Sequence, residues 1–125
     1  GLTPLARIDD YTFVANEPAD LFEAPAMAVD RLLEKGGLTL SDVDLMEVNE
    51  AFAAQVLANG KALDWDWDRV NVKGGATALG HPIGASGARI LVTLLYSLRE
   101  RGLASGIAAL CHGGGGAVAV RVSLL

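Results

Sequence analysis

Residues 106–125 read GIAALCHGGGGAVAVRVSLL, two short apolar runs separated by a run of glycines. A connection of this length joins neighbouring strands as a hairpin, so the stretch predicts two adjacent strands at the end of the chain. The glycines contribute no side chain to a core, and the only cysteine, Cys111, stands just before them. The position of Cys111 therefore needs an explanation from packing or from reactivity.

Upstream of this hairpin, apolar residues alternate between strand spacing and helix spacing. The pattern predicts strands over residues 5–15 and in a short run ending at Val48, with helices over 24–37, 49–63 and 88–102. Gly36 is the expected cap at the end of the first helix. Residues 71–87 contain five glycines and predict a long shaped loop rather than a regular element. Strands alternating with helices predict an α/β layered domain with a mostly parallel sheet.

Composition limits the class of protein. With 125 residues, 51% of them apolar, the chain is predicted to form one domain over residues 1–125. The net charge of −5 and the scattered Lys and Arg make nucleic acid an unexpected partner, and no apolar stretch is long enough for a membrane span. A single cysteine cannot form an internal disulfide, so we expect a reducing compartment, the cytoplasm. The first residue is Gly1, which is compatible with a piece of a longer protein.

Three loops are expected to meet at one edge of the predicted sheet. In such sheets the ligand groove lies beyond the carboxyl ends of the strands. The loop at Asn49, the loop over 80–87 that contains His81, and the loop at Cys111 all fall there. An amide, an imidazole, a thiol and free backbone N–H groups are a suitable set for acyl transfer.

Each of these residues also has an ordinary structural interpretation. A lone cysteine at a strand end is often a buried apolar side chain, and His81 can be a turn residue that donates to a carbonyl. Asn49 is a suitable N-cap for the following helix, and the glycine run can be a flexible hairpin. The run lacks the lysine of a phosphate-binding Walker loop. On the residues alone, these alternatives stay open.

Three blocks of the sequence resemble the signature blocks of the C-terminal half of thiolases, in the same order. They are NEAFAAQ, NVKGGATALGHPIGASGARI and CHGGGGA, at residues 49–55, 71–90 and 111–117. The resemblance implies a thiolase-like αβα half with a five-stranded mixed sheet whose last strand is antiparallel. It also implies an N-terminal half, absent from this sequence, that carries the nucleophilic cysteine and most of the residues that hold coenzyme A.

The resemblance assigns catalytic roles to four positions. Cys111 is implied to be the base in condensation and the acid in thiolysis, and His81 to activate the nucleophile and polarise the second thioester. Asn49 is implied to orient a water beside that thioester oxygen. Gly113 is implied to donate its N–H to the carbonyl oxygen of the acyl-enzyme. We therefore expect the side chains of His81 and Cys111 to approach within about one water-mediated contact, with Asn49 nearby.

Two further positions receive weaker assignments from the same resemblance. Glu50 is expected to support its loop through hydrogen bonds, and Phe52 to line the channel for the pantetheine arm, although core packing is an equal explanation for Phe52. His112 departs from the family, in which many members carry an aliphatic residue there. Coenzyme A thioesters are the expected substrates, and neither a cofactor nor a metal is expected. The expected partners are the N-terminal half and further copies of the protein.

The resemblance implies an acyltransferase that condenses acetyl-CoA or cleaves 3-ketoacyl-CoA, inactive without the N-terminal half. One alternative is a decarboxylating ketoacyl synthase, but those enzymes use histidines where this chain has Cys111. The other is a non-catalytic thiolase-like protein that binds acyl-CoA or acts as a scaffold. The presence of Asn49, His81 and Cys111 favours the enzyme, because a scaffold needs none of them.

Overall fold

Four strands form one sheet in the spatial order β1, β4, β3, β2 in the computed structural model, which describes residues 1–125. The strands are β1 (Ala6–Ala15), β2 (Leu45–Val48), β3 (Ser105–His112) and β4 (Gly116–Leu124). The helices are α1 (Ala24–Gly36), α2 (Ala53–Leu63), the single turn α3 (Ala76–Leu79) and α4 (Ser86–Arg101). Three 3-10 segments lie between them, at Pro18–Glu23, Leu40–Asp42 and Trp67–Arg69.

The C-terminal hairpin is confirmed. Strands β3 and β4 pair antiparallel, and the turn between them contains Gly114 and Gly115 at φ 93° and 96°. Positive φ of this kind is readily adopted only by glycine, so part of the glycine run is required by the turn itself. Strand β4 is also antiparallel to β1, as the family resemblance implies for the last strand.

The prediction of a mostly parallel sheet is wrong. Strands β2 and β3 pair parallel, whereas β4 pairs antiparallel with both β1 and β3. The tight turn after β3 reverses the chain and inserts β4 between two strands that share one direction. One reversed strand in an interior position therefore makes two of the three pairings antiparallel.

The five-stranded sheet is also wrong, because the sheet has four strands and beyond β2 the chain adds only one bridge, between Val70 and Met46. The extended backbone ends at Asn71, whose φ is 49°. Its side chain then takes the place of a strand, since Oδ1 accepts from the N–H of Val48 and Nδ2 donates to the carbonyl of Val48, each at 2.8 Å. The edge of β2 is thus satisfied by a side chain rather than by a further strand.

Three local predictions need correction. Residues 71–87 are not irregular throughout, because α3 forms one turn there and α4 already begins at Ser86. Helix α1 is capped by the left-handed Gly37 rather than by Gly36. Asn49 is not a helix N-cap, since α2 begins at Ala53 with Phe52 at the capping position.

Helices cover the two faces of the sheet unequally. Helices α1 and α2 pack on one face around Val29, Leu32, Val48, Val56 and Ala109, which are all buried. On the other face, α4 covers β2 and β3 through a second buried cluster, Leu45, Ile90, Leu94, Leu98, Ala108 and Val122. None of the helices combines the length and apolar character that a membrane span needs.

Beyond α4, the second face of the sheet is open over β1 and the neighbouring part of β4. Thr12 and Val14 point to α1 and are buried, whereas the alternating residues Tyr11 and Phe13 are 65% and 57% exposed. Tyr11 pairs with Val120 and Phe13 with Val118, and both valines are half-buried. We call Tyr11, Phe13, Val118 and Val120 the open apolar face.

Candidate active site

The carboxyl ends of β2 and β3 meet at one edge of the sheet. Val48 pairs with Ala109 in the parallel register, and the N–H of Asn49 donates to the carbonyl of Ala109 at 2.9 Å. Cys111 follows two residues later, where β3 enters the glycine turn. The loops that carry Asn49 and Cys111 therefore share the edge of the sheet that the sequence predicts.

The third loop brings His81 to Asn49. Asn49 is fully buried, and its Nδ2 lies 3.4 Å from Nδ1 of the exposed His81. These residues are far apart in sequence, so their contact is made by the fold rather than by the local chain. Asn49 and His81 thus lie together as expected, while the close approach of His81 to Cys111 stays a prediction.

Ser86 fixes the ring of His81. The Oγ of Ser86 lies 2.6 Å from Nδ1 of His81 and donates to the carbonyl of Pro82 at 3.0 Å. Because these contacts occupy Nδ1, Nε2 is the ring nitrogen left for chemistry. Because the single hydroxyl proton of Ser86 goes to Pro82, Oγ accepts from Nδ1–H, which leaves Nε2 as the nitrogen without a proton in the neutral ring.

Glu50 supports its loop as the sequence predicts. Its carboxylate accepts from the backbone N–H of Thr77 at 2.8 Å and from Nδ2 of Asn71 at 3.3 Å. These hydrogen bonds tie the loop after β2 to α3, which leads directly to the His81 loop. The distance between two parts of the site is therefore set by one carboxylate.

Gly75 leaves the space that this carboxylate occupies. A Cβ at Gly75 would lie 2.4 Å from Cδ of Glu50 and closer than 3 Å to both carboxylate oxygens. We expect Gly75→Ala to displace Glu50 from Thr77 and to lower the free energy of unfolding by about 1–3 kcal/mol. Thermal unfolding followed by circular dichroism measures the loss, with Gly84→Ala as control because a Cβ at Gly84 meets nothing within 4 Å. Equal melting temperatures for the two variants would contradict this role of Glu50.

Cys111 is half-buried and unpaired at the end of β3. Burial raises the pKa of its thiol, and a backbone hydrogen bond at Cys111 opposes that rise only in part. A cysteine nucleophile is usually activated by a lowered pKa, whereas a thiolate of high pKa is a stronger base. The surroundings of Cys111 therefore favour the thiol over the thiolate.

Gly113 differs from the glycines that follow it. A Cβ at Gly115 would lie 2.2 Å from the carbonyl oxygen of Asn16, and one at Gly116 would collide with the ring of His112. At Gly113 a Cβ meets no atom within 4 Å, and φ does not lie in the left-handed region. The fold thus explains glycine at the later positions, while at Gly113 a Cβ would lie in open space.

Two aromatic contacts border the site. Phe52 is 61% exposed and meets Phe22 edge-on with ring centroids 5.3 Å apart, so the core-packing explanation for Phe52 is wrong. The ring of His112 stacks on Phe13 at 5.0 Å, and its Nδ1 lies 2.9 Å from the carbonyl oxygen of Gly113. His112 therefore packs against the open apolar face.

Sequence reasoning did not identify Ser86 or Arg89 as part of this arrangement. The guanidinium of Arg89 contacts Oδ1 of Asn49 at 3.4 Å through Nη2. Both residues lie in the first turn of α4, where serine and arginine are ordinary helix residues. Their spacing from His81 contains no recognisable pattern, and only the packing of α4 against β2 reveals their role.

Residues 2–124 match the family described as the C-terminal domain of thiolase. The chain belongs to the thiolase family. The acetyl-CoA acetyltransferase of Escherichia coli (strain K12) is 54% identical over 125 residues, which are 100% of this chain and 32% of that protein. A probable acetyl-CoA acetyltransferase of Dictyostelium discoideum is 52% identical over 96% of this chain and 29% of its own length. This thiolase chain therefore spans about a third of the length of these relatives.

Solved structures give the same family. The crystal structure of the Bacillus anthracis acetyl-CoA acetyltransferase is 51% identical with a TM-score of 0.96, over 99% of this chain and 32% of that one. Human mitochondrial 3-ketoacyl-CoA thiolase in complex with CoA is 46% identical with a TM-score of 0.95, over 98% of this chain and 31% of that one. The thiolase fold is thus confirmed for the chain, with a four-stranded rather than a five-stranded sheet.

Proposed function

We propose that this chain supplies the base and one oxyanion site of a thiolase that transfers acyl groups between coenzyme A thioesters. The observation that carries the proposal is the contact of Asn49 with His81 at the sheet edge where β3 ends in Cys111. The direction is either condensation of acetyl-CoA or thiolysis of 3-ketoacyl-CoA. A scaffold that only binds other proteins has no need for an imidazole held at Nδ1 with Nε2 free.

The proposed reaction divides into two steps. The nucleophilic cysteine of the N-terminal half attacks an acyl-CoA thioester and releases coenzyme A, with Nε2 of His81 taking the thiol proton. In condensation the Cys111 thiolate removes a proton from the α-carbon of acetyl-CoA, and the carbanion attacks the acyl-enzyme and expels the nucleophilic thiolate. In thiolysis the same steps run backwards, and the Cys111 thiol returns the proton to the α-carbon.

Two groups of donors, one at each carbonyl oxygen, stabilise the oxyanions in this proposal. The N–H of Gly113 donates to the carbonyl oxygen of the acyl-enzyme, and the open space beside Gly113 leaves room for that group. His81 and a water held by Asn49 donate to the oxygen of the second thioester. One oxyanion donor is typically worth about 3 kcal/mol, so the two groups together can supply a large share of the rate.

Coenzyme A thioesters are the proposed substrates, and the reaction uses no separate cofactor. Support comes from the human mitochondrial 3-ketoacyl-CoA thiolase, which is similar in fold to this chain. The structure of that human protein was solved in complex with CoA. The exposed ring of Phe52 is the proposed lining of the pantetheine channel. The free thiol of Cys111 is compatible with the cytoplasm, which we keep as the proposed location.

The proposed partner of the open apolar face is the N-terminal half of the protein. Two aromatic side chains there are more than half exposed in this chain, which spans only about a third of its relatives' length. An apolar patch of this kind on a sheet is normally covered. In addition to this pairing with the N-terminal half, we still predict that the complete protein forms a homo-oligomer.

The chain on its own is expected to bind a hydrophobic dye and to self-associate. Replacing Tyr11 and Phe13 by glutamine should reduce both effects, because it removes most of the open apolar face. Dye fluorescence and light scattering measure them, and Met27→Gln, exposed on α1 at the opposite face, is the control. A monomeric chain that binds no dye would contradict the pairing.

A chimera tests the proposed activity directly. In this chimera the chain replaces the matched 32% of the Escherichia coli acetyl-CoA acetyltransferase. We expect it to cleave acetoacetyl-CoA in the presence of coenzyme A at a rate within about tenfold of the parent, since the proposed site residues are all present. A folded chimera without thiolysis or condensation would overturn the proposed function.

A further inference from the structure

Glu47 is buried behind the proposed site and Arg89 is half-buried beside it, and no step of the reaction above uses either side chain. Glu47 on β2 is 2% exposed, and its Oε1 has no hydrogen-bond partner. On α4, the Nε and Nη1 atoms of Arg89 are buried and also lack partners. Buried charge with incomplete hydrogen bonding costs free energy, so its presence here needs a reason beyond packing.

The remaining nitrogen of Arg89 has a partner in the site. Its Nη2 lies 3.4 Å from Oδ1 of Asn49, and Nδ2 of the same amide lies 3.4 Å from Nδ1 of His81. A guanidinium has only donors, so it can donate to the oxygen of the amide but must repel its NH₂ group. Arg89 therefore selects one of the two orientations of the Asn49 amide, the one that turns Oδ1 towards the guanidinium.

Glu47 lies on the same side of the sheet as Asn49, because Asn49 directly follows β2, continues its hydrogen bonding to β3 and is separated from Glu47 by one position. Burial raises the pKa of Glu47 to about 7, the positive charge of Arg89 opposes that rise, and the charge of Glu50 adds to it. Glu47 and Arg89 therefore influence each other electrostatically across the packing of α4 on β2.

We propose that Arg89 is a positioning residue for the thiolase reaction, which it serves by holding Oδ1 of Asn49 and so fixing the orientation of that amide beside His81. The inference rests on the proposed function, in which Asn49 holds the water beside the thioester oxygen. A reversed amide presents Oδ1 to that water and to His81. The water then loses the Nδ2 group that helps to orient it, and its own hydrogen bond to the oxyanion is no longer aligned.

A double-mutant cycle in the chimera tests whether Arg89 acts on the reaction through the amide of Asn49. Arg89→Met is expected to lower kcat about 10- to 100-fold with KM changed by less than about threefold, because the amide acts on the transition state. In an Asn49→Ala background the same substitution should change kcat by less than about threefold, since the amide through which Arg89 acts is gone. Equal losses in both backgrounds would overturn the proposal.

Controls separate this role from folding. Arg101→Met removes an exposed arginine from the end of the same helix and should leave kcat unchanged. If Arg89→Met does not fold, Arg89→Lys replaces it in the cycle, because lysine keeps the charge and one donor but loses the planar fork. Arg89→Lys should lower kcat less than Arg89→Met, and this loss should also disappear in the Asn49→Ala background. A loss that persists in that background overturns the proposal.

A second readout does not depend on turnover. Hydrogen exchange at the Cε1 position of a histidine ring, followed by mass spectrometry, responds to what the adjacent Nδ1 contacts. Arg89→Met is expected to change the exchange rate of His81 by about twofold or more while His112 stays constant. If the wild-type chimera is inactive but Arg89→Met still changes the His81 exchange rate, the positioning role is supported and only the proposed function is overturned. An unchanged His81 rate would overturn the positioning role whatever the activity.

Discussion

Replacing Cys111 by alanine is expected to abolish condensation in the chimera while acyl transfer to the separate nucleophilic cysteine continues. The alanine removes the proposed base for the α-carbon, and loss of such a base lowers the rate by about 10²- to 10⁴-fold. In the proposed mechanism, acylation of the nucleophile needs only His81 and the oxyanion donors, which remain in this variant. The two half-reactions should therefore separate in this one variant.

Mass spectrometry of the trapped acyl-enzyme measures acylation, and a steady-state assay measures condensation. Cys111→Ser should behave like the alanine variant, because a hydroxyl is a far weaker base than a thiolate under the same conditions. Ser105→Ala, at the other end of β3, is the control for damage to the strand. Condensation that survives in Cys111→Ala, or an acyl group found on Cys111 itself, would contradict the proposed role of the cysteine.

Replacing His81 by alanine is expected to impair both half-reactions. In the proposed mechanism the nucleophile then loses the imidazole that takes its proton, and the second thioester loses a donor at its oxygen, so we expect losses of about 10²-fold or more in each. The same acyl-enzyme measurement should then show little adduct. This pattern differs from that of Cys111→Ala, in which the adduct still forms.

The chain offers a matched control for this experiment in its other histidine. His112 stacks on Phe13, and its Nδ1 faces the carbonyl of Gly113 rather than Ser86. His112→Gln is expected to lower activity less than tenfold, since it leaves the His81 ring in place. A His112 variant that loses acylation as fully as the His81 variant would move the proposed general base to His112.

Most elements of the fold could be predicted from the sequence because they depend on local patterns. The apolar stripe of α4 is an example, since Leu94 and Leu98 are fully buried where helical spacing places them. The C-terminal hairpin could be predicted from the glycines between two apolar runs. The direction of most pairings could not, because it depends on where β4 is inserted between β1 and β3.

In the candidate site, too, the features that depend on local sequence could be predicted and those that depend on contacts between distant segments could not. Asn49, His81 and Glu50 could be identified from short motifs, and the structure confirms the contact between Asn49 and His81 and the hydrogen bonds of Glu50. Asn49 was nevertheless a plausible N-cap, because a local rule cannot show that the chain continues through Phe52 before α2 begins. Asn71 and Arg89 act through contacts between distant segments, and no spacing in the sequence indicates them.

Proton exchange at the α-carbon of acetyl-CoA is the most direct test of the claim that Cys111 serves as the base of this site. The chimera is incubated with acetyl-CoA in deuterated water, and deuterium in the acetyl methyl group is followed by mass spectrometry. We expect the wild-type chimera to incorporate deuterium and Cys111→Ser to lose about 10²-fold or more of that rate, with Ser105→Ala unchanged. Deuterium incorporation at the wild-type rate in Cys111→Ser would contradict the proposed role of Cys111.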